Sequence, residues 1–194
     1  MKKKRILAMI LAVASCLSLA VSASAANTVA RKATDFRDFD KSAWYAEAVS
    51  AAVDNGLLYG KSSTIIDPSG DMTRAEMAAI INRSFGCYKT ADISQYSDVS
   101  KSKWYYKDVA LAVQMGTYNG RSASSMAPDA PISRQEAMTV VARALELDYD
   151  SYSKTDLSAF SDRSEISNWA LPYVRAMVGA DYIHGRGKVL APLD

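Results

Sequence analysis

Apolar residues recur along this chain in short stripes of helical spacing, separated by polar stretches rich in turn formers. Trp44, Tyr45, Ala48, Val49, Ala52 and Val53 fall at i, i+4 and i+8, which predicts an amphipathic helix with one buried face. Asn55-Gly56 supplies a left-handed stop. A loop with Gly60 and Asp67-Pro68-Ser69-Gly70 follows. Thr73-Arg74-Ala75-Glu76 then opens a second helix with a capping box, Thr73 at the N-cap and Glu76 three residues on, ahead of Met77, Ile80 and Ile81. Each stripe predicts core.

The same text is then written again. A shift of 60 residues, without a gap, lays Asp38 on Asp98, Trp44 on Trp104, Tyr45 on Tyr105, Gly56 on Gly116, Gly60 on Gly120, Pro68 on Pro128, Arg74 on Arg134, Glu76 on Glu136 and Arg83 on Arg143. Ser133-Arg134-Gln135-Glu136 repeats the capping box, with Met138 and Val141 behind it. A third copy starts at Phe160-Ser161-Asp162, carries Trp169, Tyr173, Gly185 and Ala191-Pro192, and stops at Asp194 before a second helix. Asp181 stands where Gly56 and Gly116 stand. The expected organisation is repeats over 36–86 and 96–147, a truncated repeat over 160–194, and polar, exposed linkers over 87–95 and 148–159. Two short helices bury too little surface to stand alone, so the copies must pack on one another.

Residues 1–25 have a different character. Lys2, Lys3, Lys4 and Arg5 precede the apolar run Ile6–Val21 and the small-residue site Ala23-Ser24-Ala25, which reads as a signal peptide cut after Ala25. The run is shorter than the roughly 20 residues that span a bilayer. A lipoprotein cut at Cys16 is the competing reading, with Leu17–Val21 an unsuitable tether behind it. Export leaves Cys87 as the single thiol and no disulfide. The segment's four cations and no acid make it +4, so the other 169 residues carry −2 of the chain's net +2. A body so close to neutral gives no sign of a nucleic-acid surface.

Arg74 and Arg134 carry the most chemical information. At the first position of a helix a cation opposes the dipole, by roughly a few tenths of a kcal/mol, yet both repeats place one there. A guanidinium beside unsatisfied N–H groups is a receptor for a carboxylate or phosphate. The competing role is an ion pair with a nearby acid such as Asp38, Asp71 or Asp98, and spacing leaves both open. Trp44, Trp104 and Trp169 lie on apolar stripes, where core is the common fate, and otherwise would wall a groove and stack on a sugar ring. Gly60 and Gly120 allow close approach of backbone to a ligand or a neighbouring helix. Tyr59, Tyr118 and Tyr182 lie near the loop glycines and could offer a hydroxyl to a sugar.

Catalytic constellations are missing. His184 is the single histidine, Cys87 has no partner for a Cys/His pair, and there is no Gly-x-Ser-x-Gly elbow. No His/Cys spacing suggests a metal. Gly185-Arg186-Gly187-Lys188 lacks the spacing of a phosphate loop. A carboxylate-pair glycan hydrolase is the weakest reading, because turns and caps account for the repeated acids.

The pattern Phe/Tyr-x-Asp-Val/Phe, Trp-Tyr, Gly-x-x-x-Gly, Pro, Thr/Ser-Arg-x-Glu resembles the S-layer homology (SLH) repeat, over about residues 36–194. The resemblance implies a mostly α-helical, pseudo-threefold bundle of helix–loop–helix repeats with grooves between them, without cofactor or metal. It implies non-covalent anchoring to cell-wall polysaccharide, often pyruvylated, or to peptidoglycan, at the cell surface. Arg74, Arg134, Asp38, Asp98, Trp44, Trp104, Gly60 and Gly120 are the expected ligand-binding set, with Thr73, Glu76, Ser133 and Glu136 as helix caps. A structural protein–protein module is the alternative, and an incomplete third repeat would leave a groove prone to self-association.

Overall fold

Both capping boxes form. The Thr73 hydroxyl accepts the Glu76 N–H at 3.2 Å while the Glu76 carboxylate accepts the Thr73 N–H at 2.8 Å. Ser133 and Glu136 do the same at 3.4 and 3.0 Å. In the computed structural model, which describes residues 31–194, these boxes open helices α2 (Arg74–Phe85) and α4 (Arg134–Ala144). The first helices of the units are α1 (Ala46–Asp54), α3 (Tyr106–Gln114) and α5 (Leu171–Gly179). Among the described residues there is no sheet, and the fold is all-α. The proposed signal peptide and Cys16 lie outside the described residues.

One aspartate ties each unit's loop. Asp38 accepts the N–H groups of Ile66 and Asp67 at 3.0 and 2.7 Å. Asp98 takes those of Met126 and Ala127, and Asp162 those of Leu190 and Ala191. The clamp holds the second residue of each pair at positive φ, 55° at Asp67, 52° at Ala127 and 49° at Ala191. Residues 160–194 therefore repeat the loop geometry of the other two units. The aspartates expected at a ligand, Asp38 and Asp98, are spent on their own backbone. Gly60 and Gly120 likewise admit an aromatic ring of their own unit: a Cβ would lie 2.5 Å from Phe36 at Gly60 and 2.5 Å from Tyr96 at Gly120. At Gly56, Gly116 and Asp181 the chain leaves the first helix at φ of 67°, 72° and 67°, so Asp181 keeps the turn without the glycine.

The helices that pack together belong to successive units. Helix α2 lies on α3, α4 on α5, and α2 touches α4. The first N–H groups of a helix have no partner inside it, and here the next unit supplies partners. Arg74 N–H donates to Ala130 O at 3.0 Å and Ala75 N–H to Pro128 O at 2.9 Å. Arg134 N–H and Gln135 N–H donate to Asp194 O and Pro192 O at 2.7 and 2.9 Å. Each capping-box helix is thus plugged into the loop of the following unit.

Burial follows from this order. The α2–α3–α4 core includes Ala78, Ile81, Tyr105, Val109, Tyr118 and Met126, and the α4–α5 core includes Met138, Leu157, Phe160, Val174 and Leu190. Under α1 the buried core is only Ala33, Phe36, Val53 and Ile66, because no second helix covers it among the described residues. The stripe expected to be core on α1 is therefore largely open, with Ala48 exposed and Trp44 94% exposed. Trp104 and Trp169 are 60% and 52% exposed, so none of the three tryptophans is core. The segments expected to be exposed linkers are also partly structural. Ile93 and Leu157 are buried, and Ala91 N–H donates to Ala110 O at 3.0 Å. Ala91 packs beside Ile93 on the core, and the Tyr149–Tyr152 turn lies on α5 with the Tyr149 and Tyr173 ring centroids 5.3 Å apart, so a few apolar residues anchor each polar segment.

Candidate functional site

Two grooves open at equivalent places. The first, about 540 Å³, runs between Gly60, Lys61, Glu76 and Arg83, with Trp44 and Trp104 at its walls. The second, about 510 Å³, runs between Gly120, Arg121, Glu136 and Arg143, with Trp169 as a wall and Arg74 entering from the preceding unit. Lys61 corresponds to Arg121 and Arg83 to Arg143 under the 60-residue shift. Lys61 and Arg121 were not singled out by spacing, although a basic residue after each loop glycine repeats as faithfully as the capping box.

Charge separates the two. The second groove has three arginines against one glutamate. The first has Lys61 and Arg83 against Asp67, Asp71 and Glu76. A cationic, half-open cavity with an exposed indole suits an anionic, ring-bearing ligand.

Glu136 is the hub of the second groove. Its carboxylate accepts Arg74 Nη1 at 3.0 Å, Arg121 Nε and Nη2 at 3.0 Å each, and the Ser133 N–H. Burial works against ionisation here, but Arg121, the Ser133 N–H and Arg74 together outweigh it and hold the carboxyl below the usual carboxylate range. Arg121 is also oriented by Pro131 O.

Arg74 and Arg134 have different environments. Arg74 is 4% exposed. Its Nε donates to Met126 O at 2.9 Å, Nη1 to Glu136 and Nη2 to Asn119 O at 3.4 Å, and its guanidinium lies 5.1 Å from the Tyr118 ring centroid. Burial lowers its pKa, with the Glu136 charge opposing. The ion-pair role weighed for Arg74 fits this geometry, with Glu136 as the partner in place of Asp38, Asp71 or Asp98. Arg134 is half-buried; its Nε donates to Leu190 O at 2.9 Å, and its terminal nitrogens make no hydrogen bond among the described residues. It stands near Arg186 and is attracted by Asp194 and Asp162.

Arg143 completes the cationic face. Its guanidinium lies 4.8 Å from the Tyr173 ring centroid and reaches Thr117 O at 3.5 Å. Arg83 repeats this with Tyr59 at 4.2 Å and Leu57 O at 2.9 Å. Of the tyrosines near the loop glycines, Tyr118 is buried with its hydroxyl donating to Arg74 O, while Tyr59 and Tyr182 are exposed. His184 faces Asp181 at 3.5 Å. No cluster of three or more metal-ligating side chains occurs among the described residues, and no helix there is long and apolar enough to cross a membrane.

The sequence profile of the S-layer homology domain matches residues 35–78 and 95–138. The chain is 34% identical over 173 residues to the surface-layer 125 kDa protein of Lysinibacillus sphaericus, a match covering 89% of this chain and 14% of that protein. It is 29% identical over 167 residues to exoglucanase XynX of Acetivibrio thermocellus, covering 84% of this chain and 15% of that enzyme. With S-layer protein sap of Bacillus anthracis it shares 22% identity over 180 residues, 93% of this chain and 22% of that protein. The chain thus spans less than a quarter of each of these relatives. Its two matched stretches are SLH repeats, non-catalytic anchoring modules of the cell surface, and the chain belongs to the S-layer homology family.

Proposed function

We propose that this protein anchors non-covalently to an anionic wall polymer, with the second groove as the principal site. The carrying observation is the excess of arginine over acid around a half-open cavity walled by Trp169. Arg143 and Arg121 face the anionic group, a carboxylate such as a pyruvate ketal on a sugar, and the indole stacks on the apolar face of the ring. Arg134, with its terminal nitrogens unspent beside the loop of residues 190–194, serves as a further contact for the polymer's negative charge. Arg74 acts by holding Glu136 and the two units in register, and Asp38 and Asp98 by shaping the loops.

Residues 160–194 are read as belonging to a third repeat, because the Asp162 clamp and the plug of α4 into residues 190–194 copy those of the second unit. The three units are read as sitting about a pseudo-threefold axis. The enzymes among the relatives are matched over a small part of their length, which supports a shared anchoring portion and not a shared activity.

Co-sedimentation with purified cell walls tests the proposal. The protein should pellet with intact walls and remain in solution once the wall polysaccharide has been extracted. Pelleting that survives extraction points to peptidoglycan, and no pelleting in either case points to a protein partner.

A further inference from the structure

A third cavity, of about 390 Å³, shares no lining residue with either groove. It opens where the segment 154–158, Arg163 and helix α5 meet, and its charged lining is Lys154, Arg163 and Arg175 against Asp156. No aromatic side chain lines it, so it offers no platform for a sugar ring.

The three cations are additions to a copied turn. In the second unit Asp92 accepts the Ser94 N–H at 2.9 Å, and in the third Asp156 accepts the Ser158 N–H at 2.8 Å, each beside a buried anchor, Ile93 or Leu157. Laying Asp92 on Asp156 and Val109 on Val174 puts Thr90, Val99 and Ala110 at the places of Lys154, Arg163 and Arg175. Val99 and Ala110 are buried, and the first unit has Phe39 and Ser50 there. The second unit makes the same turn and the same helix without any of these charges, so neither element needs them.

The cations are also left without a counter-charge. Asp156 spends its carboxylate on the Ser158 N–H and hydroxyl, at 2.8 and 2.7 Å, and forms no ion pair with any of the three. Arg163 gives Nη1 to Phe160 O at 3.4 Å. Arg175 is half-buried, and its Nε is buried with no hydrogen-bond partner, a costly state for a donor that water does not reach. Like charges gathered in this way repel one another. An oxyanion in the cavity removes both costs together. A monocarboxylate brings one charge and two oxygens to two guanidinium forks and an ammonium. A phosphate group brings close to two charges and more oxygens, which matches three cations against one carboxylate.

We infer that this cavity is a phosphate-binding site, with the Arg175 and Arg163 guanidinium groups on the phosphate oxygens and Lys154 adding charge at the mouth. The phosphate is either free or carried as an ester on a larger molecule.

The test is titration of the isotopically labelled full chain with inorganic phosphate, followed by nuclear magnetic resonance at the arginine Nε–H groups. The Arg175 signal, identified by its loss in Arg175→Lys, should move and saturate, and sodium chloride at matched ionic strength should not reproduce the movement. Arg163→Gln, read at the same signal, should weaken binding roughly tenfold, with circular dichroism confirming the fold. Glycerol 1-phosphate separates the two sources: tighter binding than inorganic phosphate supports an ester, weaker binding supports free phosphate. An Arg175 signal that never moves, the same movement with chloride, tighter binding of acetate, or undiminished binding by Arg163→Gln would each overturn the inference. None of these results bears on the second groove, which has no residue in common with this cavity.

Discussion

The Arg74 guanidinium and the Glu136 carboxylate meet at 3.0 Å, and they belong to capping boxes of successive repeats. Arg74 begins its helix and enters the neighbouring groove; Glu136 closes the neighbour's box and receives it. One motif thereby caps a helix, joins two units and sets the orientation of Arg121. The exposed part of the groove is left to Arg121, Arg143 and Trp169.

Arg74→Ala should lower stability by about 3 kcal/mol, because it leaves Met126 O and part of Glu136 without a partner in a buried setting. Arg121→Ala, at a side chain 43% exposed, should cost under about 1 kcal/mol. Urea denaturation of both variants and of the double mutant checks the contrast and yields the coupling energy.

Gly60→Ala should be destabilising by about 1–3 kcal/mol. Its φ is 81°, and the added methyl would meet both the Phe36 ring and Ile65 O at 2.5 and 2.6 Å. Thermal unfolding reads the loss directly, and unchanged stability would refute the close approach.

Acid should unfold the protein through its loop clamps. At Asp98 and Asp162 partial burial opposes ionisation, but the backbone N–H donors outweigh it and lower the pKa; at Asp38 the Ile66 N–H is the largest influence and acts in the same direction. A folded-state pKa below the unfolded value of about 3.9 gives stability that is fully present above that value. It is lost as pH falls through the folded pKa values. Midpoints of thermal unfolding should stay level from about pH 5 to 7 and fall steeply below about pH 4, with a shallower fall in Asp98→Asn.

Trp169→Ala should weaken polymer binding by roughly 1 kcal/mol or more, about a fivefold loss, with little change in stability. The ring is half-exposed and contributes to the groove wall, not the core. Isothermal titration with soluble polymer, alongside thermal unfolding, separates the two effects.

Much of the architecture is legible in the chain because the signals are local. The capping boxes, the glycine stops after α1 and α3 and the helix stripes each depend on residues within one or two turns. What spacing does not carry is which helix covers which stripe. The stripe at Trp44–Val53 reads like the one at Trp104–Val113, yet Tyr45, Val49 and Ala52 are half-buried while Tyr105, Val109 and Ala112 are buried, since α2 covers the latter from another unit. The same cause hides the burial of Ile93 and Leu157, whereas the tryptophans stand at the exposed end of each stripe whether or not a helix covers the rest of it, Trp104 being 60% exposed. Arg74 and Arg134 are alike in sequence and unlike in structure because Glu136 stands beside the first, while among the described residues the second hydrogen-bonds only Leu190 O through its side chain.

The most direct measurement is the affinity of the protein for purified wall polysaccharide as a function of salt, for wild type, Arg143→Ala and Arg134→Ala. The account predicts binding that weakens with ionic strength, a roughly tenfold or greater loss in Arg143→Ala and a smaller loss in Arg134→Ala, at unchanged helical content. Affinities indifferent to salt and to both substitutions, with the fold intact, would contradict it.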